Sequence, residues 1–338
     1  AINVPLTGPI AAWSGQFPNG FKMGIEDAAA KYGVDPAKFV VDVQDDGGKP
    51  SQAVSIFNKQ QIAGFDVYIS VATGPANAVA PQLDAMGTPH FIAAFDPFIT
   101  TPAPSRFRVM TNSKIEAPLF IKYAKKTGAK SVFVIQLNMS YAEDEFGKIV
   151  APALEKDGVS VHRELFELPD RDFKIIAQKV KAAAPDLIFI CGYSFHVQPI
   201  LRDLRAVGLV KKGHVVSVQD FVDLVYAGTP VDELRDVVFV SPIFDVLGKV
   251  AAAPEWRKRY EARFKTKPTY VPAYAYDNAQ LIVKAFVDSG KVDTAALIAA
   301  APFDGVNGRI DLDGDRDIKA TVTLATLNYQ GQIVELPR

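Results

Sequence analysis

Aromatic and polar side chains recur in the segments that directly follow apolar, β-branched runs of this chain. These residues are Trp13, Asn77, Phe95, Asp96, Phe98, Tyr141, Tyr193, Phe195, His196 and Asp220. Aromatic faces with a few convergent polar groups are typical of sites that hold a small amphipathic molecule. Simpler interpretations stay open, since rings near strand ends often complete a core, Asp96 precedes Pro97 in a potential turn, and His196 can be an ordinary residue at a helix N-terminus.

The sequence lacks the motifs of several enzyme classes. There is no G-x-S-x-G, no G-x-x-x-x-G-K-[ST], and no G-x-G-x-x-G after the first strand. Four scattered histidines and the single Cys191 show no metal-ligand spacing. "DLDGDRD" resembles the start of a calcium loop, but Arg316 stands where Gly is needed and Val322 where the bidentate Glu is needed. We therefore predict a turn there, and a protein that is not an enzyme and uses neither a metal nor a cofactor.

Composition points to an ordinary globular protein of two domains. The chain has 338 residues, 49% of them hydrophobic and 22% charged, with a net charge of −1 that gives no reason to expect nucleic acid or an anionic membrane as partner. One cysteine excludes an internal disulfide. The chain opens without Met, directly in a strand, which fits a secreted protein whose leader peptide was removed and equally fits a shortened chain.

Apolar strands alternate with amphipathic helices along most of the sequence, at intervals of roughly 25 to 28 residues, the length of one βα unit. Runs such as "SVFVIQL" and "DLIFI" are continuously apolar, as expected for strands covered on both faces by helices. The last third contains two long helices and a hairpin that need an existing sheet. We therefore predict an α/β fold of two doubly wound, Rossmann-like lobes, residues 1–117 plus 250–321 and residues 118–249 plus 322–338, joined by a hinge of several segments.

Ligands of open parallel sheets bind beyond the carboxyl ends of the strands. The aromatic segments follow the predicted strands of both lobes. We therefore expect the two lobes to form a cleft that closes on a small molecule.

Several segments, taken in order, closely resemble the leucine/isoleucine/valine-binding type of periplasmic solute-binding protein. They are "PLTGPIAAWSGQFPNGFKMGIEDA", "VQDDGGKPSQAV", "SYAEDEFG", "RDFKIIAQKVKAAAPDLIFICGY", "ILRDLRAVGL" and "YAYDNAQLIVKAF". The resemblance implies two lobes with three crossovers, a Venus-flytrap closure (type I periplasmic binding protein), and delivery of the ligand to an ABC permease in the inner membrane. It also implies that Trp13, Tyr141 and Tyr193 contact the ligand, and that Asp220 or its neighbour Gln219 holds a ligand ammonium group.

The chain departs from this pattern where amino-acid-binding members hold the α-carboxylate. Gly74 stands where the family has a hydroxyl residue, although Thr73 is adjacent and could substitute. Phe95 and Asp96 replace the Thr-Asn of the family's loop after the fourth strand. Main-chain N–H groups at Gly74 and Ala94 could still bind a carboxylate. These exchanges should change the class of ligand, because a buried hydrogen-bonding site discriminates strongly against molecules that cannot pair with it.

The sequence thus predicts a periplasmic, monomeric binding protein of an ABC importer, with a small aromatic or hydrophobic carboxylate as ligand. One alternative is a branched-chain or aromatic amino acid, whose ammonium group would pair with Asp96 or Asp220. Another is a cytosolic ligand sensor with the same fold.

Overall fold

A computed structural model describes residues 1–319 and 321–337, and its chain divides into two compact units. Unit 1 comprises Ala1–Thr111 and Val250–Thr321, and unit 2 comprises Asn112–Lys249 and Val322–Arg338. The chain thus passes from one unit to the other three times. The ranges predicted from sequence differ from these units over residues 112–117, and they include Ala320 and Arg338, which lie outside the described residues.

Unit 1 is built on a parallel sheet with strand order β2-β1-β3-β4-β5. With elements numbered in chain order throughout, its strands and helices are β1 Ile2–Val4, α1 Ala11–Ser14, α2 Phe17–Tyr32, β2 Val43–Asp45, α3 Pro50–Ala63, β3 Tyr68–Val71, α4 Thr73–Met86, β4 His90–Ala93 and β5 Arg106–Phe107, followed late in the chain by α12 Ala253–Phe264, α13 Tyr270–Ser289, α14 Thr294–Ala300, β11 Phe303–Gly305 and β12 Gly308–Ile310. A 3₁₀ turn spans Pro36–Lys38, and β11 and β12 form a separate hairpin.

Unit 2 contains a larger sheet with strand order β14-β13-β10-β9-β8-β6-β7, parallel from β7 to β10 and antiparallel from β10 to β14. Its elements are α5 Ser113–Thr127, β6 Ser131–Leu137, α6 Ser140–Ala142, a π-helix Glu143–Val150, α7 Ala151–Lys156, β7 Ser160–Phe166, α8 Lys174–Ala183, β8 Leu187–Cys191, α9 Ser194–Ala206, β9 Val215–Ser217, α10 Phe221–Tyr226, α11 Val231–Leu234, β10 Val237–Pro242, β13 Val322–Leu327 and β14 Ile333–Glu335.

Capping residues determine where the long helices begin and end. In α2, Phe21, Ile25 and Ala28 lie on the buried face, and Gly33, at φ +66°, ends the helix with its N–H bonded to the carbonyls of Ala29 and Ala30. Helix α5 begins at Ser113, and the N-cap residue before it, Asn112, accepts a hydrogen bond through its side chain from the main-chain N–H of Lys114.

The predicted alternation of strands and helices is confirmed, with local differences. The predicted strand over residues 38–46 is shorter, since only Val43–Asp45 pairs with β1. The helix expected over residues 142–158 contains a π-helical segment. The terminal hairpin, predicted from Ala320 onward, joins the sheet of unit 2, because β13 pairs with β10. No helix within residues 1–319 and 321–337 combines the length and apolar character needed to cross a membrane.

Candidate ligand-binding loops

In unit 1, Trp13 and Phe95 lie close together beyond the carboxyl ends of β1 and β4. Their ring centroids are 5.7 Å apart at an interplanar angle of 46°. Trp13 is half-buried in the short helix α1, and its indole Nε1 donates a hydrogen bond of 2.9 Å to Tyr270 Oη. Phe95 is buried. This contact fixes the indole by its polar edge and leaves part of its ring surface exposed to a ligand.

Residues 72–77 form the turn from β3 into α4. Ala72 has φ +82° and ψ 145°, a conformation that is costly for any residue with a Cβ and is common at functional sites. Thr73 is half-buried, while Gly74 and Asn77 are exposed. Among the described residues, no side chain caps the first turn of α4. The main-chain N–H groups at Thr73 and Gly74 can therefore bind an anion.

The loop of residues 94–96 is held by a buried arginine that sequence reasoning missed. Arg108 is fully buried, and its Nη1 donates to the carbonyl of Ala94 at 2.9 Å and to the carbonyl of Asp96. The other edge of its guanidinium pairs with Asp317, with Nε–Oδ1 at 2.7 Å and Nη2–Oδ2 at 2.6 Å. Two features of the sequence could have indicated this pair: an arginine inside the apolar run "RFRVM" and the aspartate that ends "DLDGDRD".

The predicted turn at "DLDGDRD" is present, and it positions Asp317. Asp313 Oδ1 accepts hydrogen bonds from the N–H groups of Asp315 and Asp317, at 2.8 and 3.0 Å. Asp96 also lies in a turn, since its Oδ1 accepts from the N–H of Phe98 at 2.8 Å. Asp96 is half-buried, so its second oxygen can still contact a ligand.

In unit 2, Tyr141 and Tyr193 lie beyond the carboxyl ends of β6 and β8, with ring centroids 6.2 Å apart. Phe195 stacks on Tyr193 at 5.5 Å. Burial, and then the neighbouring Tyr193, raise the pKa of Tyr141 well above its ordinary value, so its hydroxyl is neutral. His196 is fully buried, and its Nε2 lies 2.9 Å from the Leu168 carbonyl, a position that favours packing over ligand contact.

Gln219 and Asp220 are both buried in the turn between β9 and α10. Burial raises the pKa of Asp220 to about 7. Neither amide atom of the Gln219 side chain has a hydrogen-bond partner among the described residues. Buried polar groups in native proteins are nearly always paired, so the Gln219 side chain offers hydrogen-bonding capacity at a position where the sequence predicted a ligand contact.

Two further buried acids adjoin this turn, and sequence reasoning missed both. Glu145 receives a hydrogen bond of 2.8 Å from Ser113 Oγ, and burial raises its pKa to about 8. Burial, followed by the charges of Glu145 and Asp220, also raises the pKa of Glu116. Helical spacing could have predicted that both acids are buried. Glu116 precedes Phe120 by four residues and Glu145 follows Tyr141 by four, so each acid lies on the same helix face as an aromatic residue. In the part of the chain that the structure describes, no group of three or more His, Cys, Asp or Glu residues is arranged to hold a metal ion.

The chain has two α/β units, each with parallel strands and with aromatic loops beyond the strand ends, and this is the fold of the type I periplasmic binding class. The sequence model of a family described as "Periplasmic binding protein" matches residues 1–332. The chain belongs to this family. The predicted resemblance to its leucine/isoleucine/valine-binding type is confirmed by the relatives below.

A curated relative, Leu/Ile/Val-binding protein homolog 3 of Brucella melitensis biotype 1, is 24% identical over 313 residues, covering 90% of this chain and 82% of its own length. Several other curated relatives are matched over little more than half of their own length. A solute-binding protein of an ABC transporter from Rhodopseudomonas palustris BisB5, solved with 3,4-dihydroxybenzoic acid, has a TM-score of 0.82 at 22% identity, over 99% of this chain and 95% of that one. LivJ from Streptococcus pneumoniae, solved with isoleucine, has a TM-score of 0.83 at 22% identity, over 98% and 96%.

Proposed function

We propose that this protein is the extracytoplasmic solute-binding component of an ABC importer, and that it binds a small molecule with a hydrophobic or aromatic body and delivers it to a permease in the inner membrane. The observation that carries this proposal is the pair of aromatic contacts, Trp13 with Phe95 and Tyr141 with Tyr193, beyond the strand ends of the two units. Family membership supports it, and so do relatives named as Leu/Ile/Val-binding proteins. We expect a monomer without enzymatic activity.

Two classes of ligand have support from particular residues. An aromatic or hydrophobic carboxylate fits unit 1, where the N–H groups of the first turn of α4, at Thr73 and Gly74, suit an anion. An amino acid adds an ammonium group, which needs a buried anionic partner. The buried Asp220 favours this second candidate.

A thermal-shift screen of the purified protein tests the proposal. The panels are the standard amino acids, and small aromatic acids such as benzoate and phenylpropanoates. A ligand at 100 times its Kd stabilises the folded state by about 2.7 kcal/mol, which raises Tm by a few degrees. The Phe95→Ala variant should lose most of this shift, whereas Phe65→Ala, which removes a half-buried ring at a distance from the loops, should retain it. A screen without a hit, or a shift that survives Phe95→Ala, would contradict the proposed site.

A further inference from the structure

Three acidic side chains lie together in unit 2 with almost no exposure to solvent. Glu116 is 2%, Glu145 1% and Asp220 5% exposed. They come from three different elements: the first turn of α5, the π-helix, and the turn that begins α10. The Asp220 position was predicted from the family resemblance. Nothing in that resemblance accounts for the other two acids.

Ser113 and Gln219 link the three acids. Ser113 Oγ donates to Glu145 Oε2 at 2.8 Å, and Ser113 lies one helical turn before Glu116 on the same face of α5. The main-chain N–H of Gln219 donates to the carboxyl group of Glu116, and Asp220 is the next residue. We name these four residues, Glu116, Glu145, Gln219 and Asp220, the acid cluster.

The acid cluster contains four buried polar atoms that have no hydrogen-bond partner among the described residues. They are Glu116 Oε1, Glu145 Oε1, Gln219 Oε1 and Gln219 Nε2. Gln219 is fully buried. Its main-chain N–H contacts Glu116, and Asp220 follows it in sequence. An unpaired buried polar group costs about 1–3 kcal/mol, so several in one place indicate a partner that the chain itself does not supply.

The charge of the acid cluster indicates the chemistry of that partner. Burial, neighbouring acids and hydrogen bonds determine the pKa values of the three acids. No Lys or Arg of the described residues is among the groups that act on them. A bound cation favours the ionised form of these acids, and one ammonium group can balance the charge of only one of the three. Three of the four unpaired atoms are oxygens that can accept hydrogen bonds, and an ammonium group has three N–H donors. After burial, the charge of Asp220 is among the causes that raise the pKa values of Tyr141 and Tyr193, so both hydroxyl groups lie near the cluster.

We propose that Glu116, Glu145 and Gln219 form a subsite for a second cationic nitrogen on the ligand, in addition to the one that Asp220 would hold. The ligand class is then a diamino acid or a diamine with an alkyl or aromatic body. This inference rests on the proposed function and narrows its ligand.

Matched ligand pairs test this subsite by isothermal titration calorimetry on the full chain. Lysine is compared with norleucine, and cadaverine with pentylamine, so that each pair differs at one terminus by an ammonium group. We expect the ligand with two ammonium groups to bind at least tenfold more tightly in each pair. The Glu116→Gln/Glu145→Gln double variant should lose that advantage, so that it binds lysine no more tightly than norleucine and cadaverine no more tightly than pentylamine. Glu143→Gln is the matched control, since Glu143 lies in the same π-helix but is half-exposed and paired with Arg163 at 2.6 Å.

Leucine and benzoate are titrated alongside, to separate the subsite from the proposed function. If leucine or benzoate binds while lysine and cadaverine bind no better than their partners, solute binding stands and the second cationic subsite is wrong. An advantage of the diammonium ligands that persists in the double variant also overturns the subsite. If no ligand of either set binds, both proposals fail. Circular dichroism of the double variant, compared with the wild type, confirms that a loss of binding does not come from unfolding.

Discussion

At the scale of single residues, the most consequential feature of unit 1 is a buried arginine rather than a ligand-facing group. Arg108 bonds the carbonyls of Ala94 and Asp96 while Asp317 neutralises its charge. Thr100 adds a hydrogen bond of 3.2 Å to Asp317. The loop that carries Phe95 is therefore held by an ion pair whose two members are 209 residues apart in sequence.

Removing the acidic member of this pair should destabilise the protein strongly. Asp317→Asn leaves the Arg108 charge buried without a counter-charge, and we expect a loss of about 3–5 kcal/mol in the free energy of unfolding. Urea denaturation of the purified variant measures it. Asp304→Asn removes an exposed pairing with Arg309 and should cost no more than about 1 kcal/mol. Equal losses for the two variants would show that the buried pair does not carry the stability of this loop.

At the scale of elements, unit 1 depends on the close approach of α2 and α13. A Cβ on Gly20 would lie 1.9 Å from the carbonyl oxygen of Pro272, and a Cβ on Gly24 would lie 2.6 Å from that of Tyr276. These are main-chain atoms, so the two helices would have to separate. The four-residue spacing of the glycines places both on one face of α2.

We expect Gly24→Ala to lower the free energy of unfolding by about 2 kcal/mol or more, because overpacking at this contact forces a backbone shift. Differential scanning calorimetry should show a clear fall in Tm. The control is Gly314→Ala, where no atom lies within 4 Å of the added Cβ and φ is not positive. A Tm for Gly24→Ala equal to that of the control would mean that the helices accommodate the methyl group without strain.

The elements themselves could be predicted from sequence, because hydrophobic periodicity reports burial along the chain. The prediction over residues 38–46 was too long since Val40, although apolar, is exposed outside the paired strand. The candidate ligand loops could be predicted as the segments that follow strands, and their contact with a ligand stays a prediction. The contact between Trp13 and Phe95 could not be predicted, because it depends on the tertiary structure. Glu116 and Glu145 were not predicted either, because each has charged neighbours in sequence, which is typical of exposed helix faces.

At the scale of the whole molecule, buried titratable groups set how stability should vary with pH. Burial raises the pKa of Glu145 from 4.5 to about 8 and that of Asp220 from 3.8 to about 7. The folded state therefore holds protons that the unfolded state releases, and stability falls as pH rises through these values. Burial lowers the pKa of His90 from 6.5 to about 3, so below pH 6.5 the unfolded state gains a proton that the folded state does not, which partly offsets the acids.

Tm should consequently be highest at mildly acidic pH and should fall between about pH 5.5 and pH 8. Each acid that stays protonated only in the folded state contributes roughly 1.4 kcal/mol per pH unit to this slope. Glu145→Gln replaces a protonated carboxyl by a neutral amide of the same shape, so its Tm should match the wild type at or below pH 4.5 and exceed it by a growing margin up to about pH 8. Glu143→Gln, which alters a half-exposed acid whose pKa the Arg163 hydrogen bond lowers, should keep the wild-type slope. Calorimetric scans at four pH values distinguish these outcomes, and parallel curves for wild type and Glu145→Gln would mean that folding does not raise the pKa of Glu145.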